Sequence, residues 1–531
     1  MLLRLSAILG LSILSNGLGE TGPVFVTSAG FYVGVHDAQN QVDVFKGIRF
    51  ASPPARFTPA TPLSNPSAGA QSAAAFGSDC PQLPTILGAA GIPAGPPLKG
   101  ANQSEDCLFV NVWRPEGTSV NDALPILVYI HGGGYFAGSG SEWDGTSLVR
   151  RSVATKKPII WITFNYRIGV LGFLGSVQAP LEALNVGLQD QRDALRWIQD
   201  NAHAFGGDSS RITISGESAG ASSVHMHYLY PDSRRTFRAG ISSSGTSLVS
   251  NTPACEWHDR PGGAYDILGN VTGCGTGTGS FECLRTLPFD VSWKACVSGS
   301  LIDEYPTQKV INGDFLNAPI ITGTNRNEGN YVVGTAFIDI TPQPPIELEN
   351  SILSSFIAGQ ATNNKNVSQD TLATLLDLYA NPTDNLSNSS LSNRASQFLT
   401  DYMMLAPERL FLKTASATQR EQDVWVYSFE QPLAGAPDFF GAFHTSDLYY
   451  LDIGFPPVAS LALQSQMQDF YISFVNDLDP GVAQWPKYDE RSPVSLQLKE
   501  GRIGPIADTL RREQTDFLSQ VNVLEEFGRF G

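Results

Sequence analysis

The sequence predicts an α/β architecture: a large, mostly parallel central sheet with helices on both of its faces. Two observations carry this. Leu124–Ile130 and Pro158–Phe164 are nearly continuous apolar runs, the composition of strands buried on both faces of a parallel sheet. Helical patterning follows them: within 185–205, Leu188, Leu195, Ile198 and Ala202 fall on one helical face, with Asp190, Arg192, Asp193 and Asp200 elsewhere. Strands alternating with helices in this way define a doubly wound fold.

In chain order, Met1–Arg4 makes a short basic start, and 5–14 is a mostly apolar run, too short to span a bilayer as a helix. Gly17 and Gly19 supply the small residues of a cleavage site, so 1–19 reads as a signal peptide. No later segment has a transmembrane pattern. The stretch from Phe31 to Phe50 reads as a hairpin turning at 37–40. Arg211–Ser215 is a further strand, with a helix opening at Ala219; strands follow at Pro319–Thr322 and Asp423–Phe429, and an amphipathic helix at Ser460–Asn476. The polar stretch 346–395 is a helix-forming excursion from the sheet. With no internal repeat and no long linker, 20–531 reads as one domain with insertions, although 531 residues exceeds the usual single-domain range.

A net charge of −17 without any Lys/Arg block repels phosphate backbones and anionic lipid surfaces, which excludes nucleic acid as a partner. Only 16% of residues are charged, which suits an exported chain solvated partly by glycans. Six cysteines, at 80, 107, 255, 274, 283 and 296, contain no CxxC pair. Structural disulfides in an oxidising compartment are favoured over zinc or redox chemistry, with the pairing left open by spacing. Asn102, Asn270, Asn366, Asn385 and Asn388 head Asn-X-Ser/Thr triplets and are glycan acceptors if the chain is exported.

Gly216-Glu217-Ser218-Ala219-Gly220 fits GxSxG between a predicted strand and a predicted helix. That context favours a nucleophile elbow, with Ser218 as nucleophile, over an ordinary Gly-rich turn. His131-Gly132-Gly133-Gly134 directly follows the 124–130 strand; its glycines let backbone N–H groups approach a substrate oxygen, so Gly133 and Gly134, with Ala219, are the candidate oxyanion donors. In this arrangement the triad follows the order Ser, acid, His. Of the seven histidines, His36, His131 and His203 precede Ser218, and His225 and His227 lie in the helix just after it. His258 comes before any convincing acid strand and reads as a surface or disulfide-loop residue, which leaves His444 as general base. Glu328 lies just beyond the 319–322 strand and is the candidate acid, with Asp303, Glu304 and Asp314 as rivals on position alone.

Together these residues resemble the type-B carboxylesterase/lipase family of α/β-hydrolases, which includes cholinesterases and secreted fungal lipases and sterol esterases. The resemblance runs from about Val24 to Leu498 and rests on Phe45–Ala51, Ser104–Val112, the HGGG segment, Asn165-Tyr-Arg167, Gly187–Gln191, Phe205–Asp208, the GESAG elbow and Asn327-Glu-Gly329. The C-terminal 474–480 and Trp485–Tyr488 stretches are similar to the fungal branch. It implies Glu328 as the triad acid, and it reinforces His444 through the Phe-His-x-x-Asp pattern ending at Asp447. It further implies Glu217, otherwise equally a turn residue, as an electrostatic neighbour of the nucleophile, and the disulfides Cys80–Cys107 and Cys274–Cys283. Cys255 and Cys296 are left to each other. The lid-like loop 80–107 is shorter than the long lids of the fungal lipases, and its apolar, Gly/Pro-rich stretch from Pro81 to Leu98 reads either as a lipid-facing lid or as a packed Ω-loop.

The expected chemistry is hydrolysis of carboxylic esters through an acyl-enzyme, with no metal or organic cofactor. Lipophilic esters lead as substrates; feruloyl or short-chain esters come second. A silent, cholinesterase-like binding module is the alternative of another class, disfavoured because every triad residue is retained.

Overall fold

The computed structural model describes residues 22–27, 30–63, 69–82, 99–100, 102–247, 252–287, 301–337, 344–417, 422–453, 458 and 460–530. The expected signal peptide, the middle of the 80–107 loop and Cys296 lie outside the described residues.

Apolar residues that alternate along each strand divide the core into two layers. In Leu124–Ile130, the side chains of Ile126, Val128 and Ile130 join one buried cluster, and those of Leu127 and Tyr129 join another on the opposite face. That two-residue period is what covering both faces of a strand demands. Helices Val186–Asn201, Ala219–Leu229 and Ala406–Ala417 cover the first face through Leu195, Val224 and Phe411. Thr146–Ala154 and Leu461–Asp477 cover the second through Leu148, Met467 and Phe474.

Among the described residues the sheet has 11 strands in the spatial order Gly504–Ala507, Val494–Leu498, Val424–Phe429, Ile320–Asn325, Ala239–Ser243, Gly207–Glu217, Leu124–Ile130, Ile160–Phe164, Phe109–Pro115, Val42–Arg49 and Val35–Asp37. Neighbours from Val494–Leu498 through Ile160–Phe164 run parallel. Both ends are antiparallel, with Gly504–Ala507 folded back at one side and the expected hairpin at the other. The fold is thus the α/β-hydrolase architecture expected from the sequence. Predicted strands and helices recur within a few residues. Gly207–Glu217 is longer than the predicted 211–215 segment because it is paired from its first residue, Gly207, against Leu124.

The excursion at 346–395 is helical, with Ile346–Ala358, Gln369–Leu378 and Ser390–Thr400 burying Leu353, Leu375 and Phe398 in a separate cluster closed by Leu518, Val523 and Phe527 near the C-terminus. Two motif segments lock the first layer. Arg167 forks onto Asp190 through Nε and Nη2, each at 2.7 Å, and Gln191 links Ser223 to His227. Breaking a buried pair of this kind costs about 3–5 kcal/mol, because the survivor is left charged in a dry interior. The structure carries Cys80–Cys107 and Cys274–Cys283, and Cys255 is also disulfide-bonded. Of the two expectations for His258, a surface or a disulfide-loop residue, the surface one is corrected: the residue follows the disulfide-bonded Cys255 but is not exposed. It is buried against Gly175, because Asp259 accepts from Ser176 Oγ and Val177 N and draws the helix under the 175–177 turn.

The helix after the elbow contains a titratable residue with a measurable consequence. His225 packs edge-on to Phe411 with Nε2 unpartnered among the described residues, and burial lowers its pKa to about 3. An unfolded histidine takes up a proton near pH 6.5, so the folded state loses stability as pH falls below that value. At pH 5 the loss is on the order of 2 kcal/mol. His225→Leu removes this linkage, and thermal midpoints measured from pH 7 to 5 should fall less steeply for the variant than for the parent.

Candidate active site

Ser218 sits between the end of the Gly207–Glu217 strand and the start of the Ala219–Leu229 helix with φ 57° and ψ −121°, a conformation that L-residues reach only under strain. Its neighbours explain how the chain tolerates this. A Cβ at Gly216 would meet the Gly220 carbonyl carbon at 2.4 Å, and one at Gly220 would meet the Ile130 carbonyl oxygen at 2.0 Å. Only glycine at both positions lets the turn close and press against the end of the 124–130 strand. The Ser218 amide donates to the Ser243 carbonyl, which ties the elbow to the next strand.

The HGGG segment leaves that strand directly beside the elbow: a Cβ on Gly132 would lie 3.2 Å from Ser218 Cβ. Gly133 has φ 101°, and a side chain there would drive into the Ala137 carbonyl at 2.1 Å. The Gly133 carbonyl accepts from Phe136 N and Ala137 N, closing a tight turn, while neither the Gly133 nor the Gly134 amide donates to another described residue. Gly133 is exposed, and Gly134 and Ser218 are half-buried. Open N–H groups and an accessible hydroxyl therefore share one surface.

His444 is carried by the loop after strand Val424–Phe429, and its placement follows from Asn327. The Asn327 amide donates to the Ala442 carbonyl, and Asn327 Oδ1 accepts from the Ala442 amide, so the 441–444 loop is pinned against the turn that leads into Glu328. Glu328 Oε2 then lies 2.7 Å from His444 Nδ1, and its Oε1 accepts from the Asn325 amide at 2.6 Å. On the other edge of the ring, Nε2 is 3.4 Å from Oε1 of Glu217, the residue before Ser218. The structure thus brings Glu328, His444, Glu217 and the elbow together. Of the rival acids, Asp303 and Asp314 are exposed, and Asp314 is paired with Lys309.

Asp447, seen in the sequence only as the end of a pattern, proves to be a third buried carboxylate. It accepts from Tyr427 at 3.0 Å and from Asn325 Nδ2 at 3.2 Å. The signal for its burial was its place in the apolar run Leu448–Leu451 that it introduces. Around His444, burial alone would lower the imidazole pKa, but the charges of Glu217 and Glu328, with Asp447 behind them, override this and raise it to about 9. Glu217 Oε1 has no hydrogen-bond partner among the described residues, and burial pushes the carboxyl up to about 8 against the pull of His444. Burial and the Glu328 charge push Asp447 up to about 6, moderated by its two donors. Among the described residues no group of three or more His, Cys, Asp or Glu side chains converges to hold a metal ion.

Apolar side chains lie on the elements that carry these residues. Phe136 projects from the HGGG turn and Val332 from the helix that begins at Glu328, both exposed. Tyr331 stacks on Phe443 beside His444, and Leu386 leans on Gly441.

A carboxylate at Nε2 stabilises the imidazolium, so removing it should let His444 lose its proton at lower pH. In Glu217→Gln the acid limb of the kcat/KM–pH profile for ester hydrolysis should move to lower pH; an unmoved limb would mean that Glu217 does not act on the base.

The model of the Carboxylesterase family matches residues 26–518. Among curated proteins, the chain is 31% identical to "Secreted lipase 1" of Botryotinia fuckeliana, with 90% of this chain and 89% of that protein covered. It is 30% identical to "Lipase 1" of Geotrichum candidum, over 87% and 89%, and 29% identical to "Acetylcholinesterase" of Electrophorus electricus, over 89% and 82%. Among solved structures, the crystal structure of Aspergillus niger EstA superposes with TM-score 0.79 over 96% of this chain and 99% of that one, at 24% identity.

Proposed function

The chain belongs to the carboxylesterase family and is a carboxylic-ester hydrolase; from that premise we propose that it is a secreted serine hydrolase of lipophilic esters that works through an acyl-enzyme on Ser218. The observation that carries the mechanism is the 2.7 Å Glu328–His444 contact beside the strained elbow. In the first step His444 Nε2 takes the Ser218 proton as Oγ attacks the ester carbonyl. The oxyanion is held by the amides of Gly133, Gly134 and Ala219. The imidazolium that forms lies between two carboxylates, Glu328 fixing the tautomer through Nδ1 and Glu217 flanking the opposite edge. His444 then protonates the leaving alcohol, and the same histidine activates the water that hydrolyses the acyl-enzyme.

Support for lipophilic substrates comes from exposed apolar side chains on the elements of the site: Phe136 on the HGGG turn, Val332 on the helix that begins at Glu328, and Leu386 against Gly441 of the loop that carries His444. Exposed apolar side chains grouped around a polar catalytic centre suit an acyl chain better than a charged or strongly hydrated one. The fungal relatives named as lipases point the same way. Secretion is supported by the leader-like 1–19 segment and by disulfide-bonded cysteines. The sequon residues Asn102, Asn270, Asn366, Asn385 and Asn388 are all exposed, as glycan transfer requires. Among the described residues no helix is long and apolar enough to cross a membrane.

Hydrolysis by the parent and by Ser218→Ala should be compared across 4-nitrophenyl esters of increasing chain length, emulsified triacylglycerol, a sterol ester and methyl ferulate. We expect a preference for long acyl chains in the parent and a loss of at least about 10⁴-fold in kcat for the variant. Preference for ferulate or acetate would replace the substrate class, and undiminished turnover in the variant would remove Ser218 from the mechanism.

A further inference from the structure

The turn that carries the open amides is held from outside by a residue that no catalytic motif marks. Gln82, two positions beyond Cys80, donates from Nε2 to the Gly138 carbonyl at 3.0 Å and accepts on Oε1 from the Gly138 amide at 2.8 Å. A side-chain amide paired with both backbone groups of one residue fixes the orientation of those groups as well as their distance. Gln82 is itself restrained: its backbone amide donates to Gln103 Oε1 at 3.0 Å, its Nε2 also reaches the Cys80 carbonyl at 3.2 Å, and Cys80 is bonded to Cys107.

Gly138 lies in direct contact with the oxyanion segment. A Cβ on Gly138 would fall 2.6 Å from the Gly132 carbonyl oxygen and 2.6 Å from His131 Nδ1, and a Cβ on Gly133 would fall 3.2 Å from the Gly138 amide nitrogen. The residues after Gly138 have a separate anchor. Ser141 donates to Asp79 Oδ1, the Ser139 hydroxyl lies between Asp79 Oδ1 and Asn165 Oδ1 and donates to one of them, and Asn165 Oδ1 accepts from the Gly140 amide at 2.8 Å. At Gly138 the restraint comes from Gln82.

We infer that Gln82 is a positioning residue for ester hydrolysis: by clamping Gly138 it aims the Gly133 and Gly134 amides at the place where the carbonyl oxygen becomes an oxyanion. It touches no substrate and acts only through Gly138. The inference rests on the serine-esterase reading above.

The test uses the full-length protein with Gln82→Met, close in length but without donor or acceptor, and Gln82→Glu, which keeps the acceptor for the Gly138 amide and loses the donor. Each is assayed on a matched pair of substrates, a 4-nitrophenyl oxoester and its thionoester. The charge that develops on a thiono sulfur gains little from aligned N–H groups, so the thionoester reports everything except the oxyanion hole. For Gln82→Met, kcat on the oxoester should fall roughly 10- to 100-fold with KM within about twofold of the parent. The ratio of oxoester to thionoester rates should fall in proportion, and Gln82→Glu should lie between. Oxoester kcat within twofold of the parent, or an equal loss on both esters, would overturn the positioning role; if Gln82→Met does not fold, the rate ratio of Gln82→Glu decides alone. Ser218→Ala on the same oxoester separates the two levels: full turnover in that variant brings down the serine-esterase reading and the clamp with it, whereas a dead Ser218→Ala beside an unaffected Gln82→Met brings down only the clamp.

Discussion

The strained backbone of Ser218 is the constraint around which the catalytic end is built. A non-glycine residue at φ 57°, ψ −121° costs about 1–3 kcal/mol and persists only where its surroundings leave it no alternative. Here they do so from every side. The strand before it is hydrogen-bonded to a parallel neighbour on each edge, and the helix after it is buried along its whole length. The Gly220 backbone rests on the Ile130 carbonyl, so the segment that follows Ile130 begins in van der Waals contact with the elbow. The elbow and the open amides of the HGGG turn are therefore two products of one packing requirement, because relaxing Ser218 would also lift the elbow from that turn.

Three buried carboxylates around one imidazole would be untenable if all were charged and unpaired. The site resolves this by giving each a different environment. Glu328 has a backbone donor and the imidazole, Asp447 has a tyrosine and an asparagine, and Glu217 has the imidazole edge without a geometric hydrogen bond. Burial accordingly pushes the Glu217 carboxyl up, against the pull of His444. In the proposed acyl transfer the imidazolium forms against the Glu328 carboxylate already placed at Nδ1, with no solvent reorganisation.

The sequence revealed the elements whose side chains announce burial by periodicity. Leu124–Ile130 and Val424–Phe429 are legible because both faces are apolar, and the elbow because two glycines flank a serine at a strand end. Position alone left Glu328 among several acids, since nothing local distinguishes a carboxylate that will meet a histidine 116 residues later; the family resemblance and the Asn327–Ala442 pairing do so. Gln82, Asn325 and Asn327 were not legible, because an amide side chain serving a distant backbone looks like any polar loop residue. His258 misled for the opposite reason: a histidine among Gly, Asp and Arg in a cysteine-bounded loop has a surface composition, and its burial comes from Asp259 docking to Ser176 and Val177.

The two flanks of the sheet bear on how the protein behaves at high concentration. Among the described residues the open sheet has 11 strands, and the borders of such a sheet carry N–H and C=O groups that can recruit another strand. At one side the final strand is only Gly504–Ala507 and contains Pro505, which has no N–H to offer. At the other the final strand is three residues long, Val35–Asp37, with His36 hydrogen-bonded to Asp43 and Asp37 charged at its end. Neither border offers a long template for edge-to-edge growth. The backbone borders of the sheet are thereby poor seeds for fibrous aggregation, whatever apolar side chains the surface exposes.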